Sequence, residues 1–129
     1  MTLEGELRIC DPYFGSGSLI RLHELVGRPI RFLTSKVEST DKAGGVFADR
    51  LSEFKVEHPT LEVRKNAGRE LHDRYILSED SLVLLGHGLK DIGKRDSFVV
   101  RLGKDQVGDV ISDLAAAFDD KWAKAELVA

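Results

Sequence analysis

Apolar and polar positions alternate through Leu7-Arg8-Ile9-Cys10, which predicts a short strand. Pro12, lacking a ladder donor, stops it within Asp11-Pro12-Tyr13. After the loop Gly15-Ser16-Gly17-Ser18 the spacing becomes helical, with Leu19, Leu22, Leu25 and Val26 as the apolar positions. Ser18 is the expected N-cap and Gly27 the closing residue. Pro29-Ile30-Arg31-Phe32-Leu33 predicts a second strand ending at Thr34-Ser35. A second helix follows Asp41, with Val46, Phe47, Leu51 and Phe54 on one side and Pro59 at its end. Leu61-Glu62-Val63-Arg64 is the third predicted strand.

The second half of the chain has a different rhythm. Leu71 to Leu77 and Ser81 to Leu85 read as two strands joined by the turn Ser78-Glu79-Asp80. Another strand is expected over Ser97-Phe98-Val99-Val100-Arg101-Leu102. From about Asp105 to Lys124, Val107, Val110, Ile111, Leu114, Phe118 and Trp122 recur at helical spacing. Strand–helix–strand–helix–strand predicts parallel pairing through right-handed crossovers, and the later hairpin adds antiparallel strands. The expected fold class is α/β, with one mixed sheet flanked by helices and a single domain over residues 1–129.

With 129 residues one core suffices without disulfides. No apolar run approaches the roughly 20 residues that span a bilayer. The first residues carry neither a basic region nor an apolar core of a secretory signal. Cys10 is the only cysteine, which excludes an internal disulfide and suits a reducing, cytoplasmic setting. A net charge of −3 argues against binding nucleic acid through overall charge. The central stretch is nevertheless rich in cations, among them Arg64, Lys65, Arg69, Arg74, Lys90, Lys94 and Arg95. A local basic face and an ordinary solvated surface both remain open.

The candidate chemistry is in His72-Asp73-Arg74. On a strand, residues two apart share a face, so His72 and Arg74 would present an imidazole beside a guanidinium. That pair suits a tetrahedral oxyanion: arginine offers a fixed fork of donors, and histidine donates, accepts a proton or attacks phosphorus. Downstream, Gly86 and Gly88 allow close backbone approach, and Lys90 adds positive charge. Asp11 and Ser35 end the first two predicted strands, where ligands collect in open α/β sheets. No compact ligand spacing such as His-x-x-x-His or Cys-x-x-Cys occurs, so neither a metal nor another cofactor is expected.

In their order, Asp11-Pro12-Tyr13, Leu33-Thr34-Ser35, His72-Asp73-Arg74 and Gly86-His87-Gly88-Leu89 resemble motifs of the phospholipase-D-like superfamily. They most resemble the domain at the C-terminus of MIT-domain (microtubule-interacting and trafficking) proteins and its bacterial relatives. The resemblance extends over roughly residues 6 to 122. It implies that His72 holds the position of the nucleophile or acid, as in catalytic members that form a phosphohistidine while a second histidine protonates the leaving oxygen. Because the motif occurs once, it also implies a homodimer pairing two His72 side chains.

The chain departs from the hydrolase signature at four places. Arg74 replaces its lysine, Glu79 its aspartate, His87 its serine and Leu89 its asparagine. MIT-type domains carry the same His-Asp-Arg and are non-catalytic modules that dimerise and bind acidic headgroups. The expected function is therefore phosphate recognition, of a phospholipid headgroup or nucleic-acid backbone, by a degenerate homodimer. The alternative is a phosphodiesterase or nuclease, such as a bacterial defence effector. Other domains of a longer parent chain are possible partners.

Plainer readings accompany each candidate. His72 would otherwise be a surface strand histidine, and the glycines turn formers. Cys10 reads as a small buried apolar residue, His23 and His58 as surface residues beside helix ends, and the stripe to Trp122 as core packing.

Overall fold

In a computed structural model, residues 5–25, 27–38, 46–66, 71, 73–86 and 99–129 are described. In chain order these form β1 (Leu7–Cys10), β2 (Tyr13–Phe14), α1 (Ser16–Leu22) with a 3-10 turn over His23–Leu25, β3 (Ile30–Thr34) and β4 (Lys36–Val37). There follow α2 (Val46–Glu57), β5 (Leu61–Lys65), β6 (Tyr75–Leu77), β7 (Ser81–Leu85), β8 (Val99–Gly103), α3 (Lys104–Lys124) and β9 (Glu126–Leu127).

As the strand–helix alternation predicts, β1, β3 and β5 are parallel, with Leu7 opposite Ile30 and Ile30 opposite Leu61. The expected hairpin is β6–β7, and it joins the sheet antiparallel to β1. Among the described residues, seven strands of this sheet lie in the order β8-β7-β6-β1-β3-β5-β9. Period-two alternation sorts their side chains between two cores. Leu7, Ile9, Ile30, Phe32, Leu61 and Val63 face α1 and α2, where Phe14 meets Phe32 edge-on at 4.9 Å. Cys10, Leu33, Tyr75 and Leu77 face α3 through Ile111, Phe118 and Trp122. The result is one small mixed-sheet domain with helices on both faces.

The α3 face also holds charge. Arg8 and Arg31, paired across β1 and β3, both reach Asp119, Arg8 through two bonds of 3.0 and 3.2 Å. Arg31 also pairs with Glu6 and lies over the rings of Phe118 and Trp122. Arg64 stacks on Trp122 at 4.6 Å and donates to its carbonyl. Long cationic stems thus cover apolar surface while their heads stay paired.

Several expectations need correction. The strand predicted from Leu71 begins only at Tyr75, because β1, its ladder partner, ends at Cys10 before Pro12. Arg74 therefore precedes β6, and its expected alignment with His72 lies outside the described residues. Ser18 is not the N-cap; the helix starts at Ser16, and the Ser18 hydroxyl accepts the Gly15 N–H from within the first turn. Gly27 closes this region with a φ of 94°, which its missing Cβ permits. Val46 and Val110 are exposed rather than core residues. Within α3 the helix breaks at Val107 (φ −136°, ψ 37°), beside Gly108.

Candidate phosphate-binding edge

The carboxyl ends of the three parallel strands are knitted together by the backbone just beyond them. Asp11 N–H donates to the Leu33 carbonyl at 3.1 Å, and Asn66 N–H to the Thr34 carbonyl at 2.7 Å. Ser35 and Lys36 N–H groups share the Pro12 carbonyl. Asp11 is 1% exposed, and one carboxylate oxygen accepts the Tyr13 N–H at 3.0 Å. A carboxylate so placed fixes its own turn, as a buried charge requires.

The segment leading into β6 is pinned to this edge from two sides. Leu71 N–H donates to the Ser35 hydroxyl. Leu85 N–H, at the end of β7, donates to the Arg74 carbonyl at 3.1 Å, which sets Gly86 beside Arg74. Asp73 and Arg74 are exposed, and the Arg74 guanidinium has no ion pair among the described residues. Four sequence candidates, Asp11, Ser35, Arg74 and Gly86, therefore meet at one edge. His72, Gly88 and Lys90 lie outside the described residues.

Burial pushes the Cys10 thiol up to about 12, with Asp73 and Asp11 adding to the shift and Lys121 opposing it. At neutral pH this sulfur is a protonated, inert thiol. Its cross-strand neighbour Tyr75 is also pushed up, first by burial and then by Cys10 and Asp73. The Tyr13 hydroxyl donates to Glu38 at 2.9 Å; burial, then this bond, pushes it up to about 12. Glu38 also accepts from Ser16 at 3.1 Å, tying β4 to the start of α1.

The sequence candidates omitted three residues of this edge. Lys65 ends β5 and Asn66 follows it, and the strand-end rule that selected Asp11 and Ser35 selects them too. Lys121 carried no local signal: α3 starts at the far edge and delivers it here only after crossing the sheet. Lys65, Arg74 and Lys121 give the edge positive charge that a net count hides.

The sequence matches no protein-family model and no curated protein. Solved structures do match. Nuc from Salmonella typhimurium, a phospholipase D family member, superposes with a TM-score of 0.66 at 9% identity, covering 98% of this chain and 84% of that one. TrmBL2, an archaeal chromatin protein whose structure shows a novel mode of DNA binding, superposes with a TM-score of 0.58 at 15% identity. That alignment covers 98% of this chain and 46% of TrmBL2. With its central parallel strands, antiparallel hairpin and flanking helices, the chain has a phospholipase-D-like fold.

Proposed function

We propose that this domain recognises a phosphate group at the carboxyl edge of β1, β3 and β5 without turning it over. The supporting observation is the convergence of Ser35, Arg74 and Gly86 on that edge, with Arg74 exposed and unpaired among the described residues. Arg74 would grip the phosphate through its donor fork, and the backbone near Gly86 would approach the oxygens closely. His72, Gly88 and Lys90 complete the proposed site, with His72 donating to the ligand. Asp11 acts from below by holding the turn after β1.

A planar guanidinium in place of a compact ammonium keeps phosphate affinity but alters the geometry around a transferring group. Together with the departures at Glu79, His87 and Leu89, this favours binding over hydrolysis, as in the MIT-type domains the motif resembles. Two copies related by a two-fold axis would pair their 72–74 segments. Exposed Leu84, Val99 and Val100, at the same end of β7 and β8, offer apolar surface for that contact. A nucleic-acid backbone and a phospholipid headgroup both present such a phosphate. TrmBL2's DNA binding makes the former the first to try. A cytoplasmic location suits the single protonated thiol.

The test compares wild type, His72→Ala and Arg74→Ala for binding to single-stranded DNA, double-stranded DNA and anionic vesicles, with sedimentation reporting the oligomer. A bis-aryl phosphodiester serves as substrate. Arg74→Ala is expected to weaken binding by about tenfold or more, the value of a charge-assisted hydrogen bond. Turnover that disappears in His72→Ala would replace this reading with a phosphodiesterase or nuclease. Binding indifferent to both substitutions would remove the site.

A further inference from the structure

A second set of side chains occupies the opposite edge of the sheet. His23 follows α1, Glu57 ends α2 and His58 comes directly after it, just before the turns that lead into β3 and β5. We propose that His23, Glu57 and His58 bind a divalent transition metal of the zinc class. This site is independent of the phosphate reading.

Three observations carry the assignment. The ligand atoms of these residues lie within 4.8 Å of one another, and His58 Nε2 is 3.8 Å from Glu57 Oε2. Around a tetrahedral zinc, neighbouring ligand atoms stand about 3.3 Å apart, so modest side-chain rotations close the shell. Second, His58 Nε2 is buried and lacks a hydrogen-bond partner among the described residues. A carboxylate 3.8 Å away is too distant to supply one, and a metal would engage the ring nitrogen's lone pair. Third, the imidazoles are held in place. His23 and His58 pack against Phe54 at 4.9 and 4.6 Å. His58 is fixed further by its N–H to the Phe54 carbonyl at 2.7 Å and by Leu61 N–H donating to its own carbonyl.

Two imidazoles and one carboxylate suit zinc, nickel or copper rather than calcium or magnesium, which prefer all-oxygen shells. A cleft of about 320 Å³ between α1 and α2 reaches His23 and Glu57 from solvent. Glu53, one helical turn before Glu57, lines the same cleft and is a candidate fourth ligand; Arg50 also lines it and opposes the cation's charge. His23 comes from the end of α1 and the Glu57–His58 pair from the end of α2, so no spacing in the sequence signals the three together. Bound metal would clamp the end of α1 to the end of α2.

The test is calorimetric titration of the metal-free full chain with Zn²⁺, alongside thermal melts, for wild type, His23→Ala, Glu57→Gln and His72→Ala. His23 and Glu57 are exposed, so their variants should fold, which circular dichroism checks. The expected result is one Zn²⁺ per chain and a rise in Tm on its addition. His23→Ala and Glu57→Gln should each lower affinity by about tenfold or more, while His72→Ala retains binding. Absence of Zn²⁺ binding in wild type would overturn the proposal. So would binding that survives both His23→Ala and Glu57→Gln, or that is lost in His72→Ala.

Discussion

The Ser35 hydroxyl accepts the Leu71 N–H, joining the end of β3 to the segment that runs through Asp73 and Arg74 into β6. Tyr75 is the first residue of β6 paired to β1, so Leu71 has no ladder partner there. The side chain of Ser35, between β3 and β4, takes the place of that partner. Ser35 therefore positions the candidate site through the backbone, whatever contact its hydroxyl makes with a ligand.

Ser35→Ala should cost about 1 kcal/mol, the usual worth of one hydrogen bond. Amide exchange at Leu71 should accelerate more than exchange in β3, and affinity for a phosphate-bearing probe should fall with it. Urea melts combined with residue-resolved exchange measure both. Unchanged protection at Leu71 would show that the bond does not order the segment.

Asp119 is held below its ordinary value of 3.8, first by the hydrogen bond from Arg8 and then by the charges of Arg8 and Arg31. A depressed carboxylate contributes stability that is present above its unfolded value and lost as pH falls through the folded one. Asp119→Asn should flatten the acid limb of a stability profile below about pH 4. Because Asp119 is half-exposed, the change should be no more than about 1 kcal/mol. Urea melts at successive pH values provide the comparison.

Cys10 gives the opposite limb. Its folded value is raised from 9.0 to about 12, so its contribution is complete below the unfolded value and declines as pH rises toward the folded one. Cys10→Ala should lessen alkaline destabilisation over that interval. At neutral pH, iodoacetamide should label the native thiol far more slowly than the unfolded one. Fast labelling of folded protein would contradict the burial of this side chain.

Phe14 is fully buried between Phe32 and Phe47, with ring centroids 4.9 and 5.7 Å away. Phe14→Ala should cost about 3–5 kcal/mol through lost burial and the remaining cavity. Val56, 83% exposed on α2, should tolerate alanine within about 0.5 kcal/mol. Chemical denaturation of the two variants separates a core position from a surface one.

The central sheet was legible because Leu7 and Ile9, Ile30 and Phe32, and Leu61 and Val63 repeat every second residue on a face that must be covered. Asp11 and Ser35 were legible for a related reason, since both follow the last paired residue of a parallel strand. Leu71 misled: its burial resembles that of a strand residue, yet Pro12 had already ended the partner. The two-residue strands β2, β4 and β9 carry too little sequence for a period, and depend on neighbours brought close by longer elements. Lys121 was hidden because its position depends on where a long helix finishes.

Trp122, the only tryptophan, lies on the α3 side of the sheet, against Phe118 at 5.6 Å and beneath Arg64. The core beneath α1 and α2 has phenylalanines but no indole. The molecule thus carries an optical reporter confined to one of its two faces. Emission excited at the indole should follow the release of α3 alone, while far-ultraviolet ellipticity follows all the helices. If the two signals part during unfolding, the faces come away one at a time; if they coincide, the sheet binds both into a single cooperative unit.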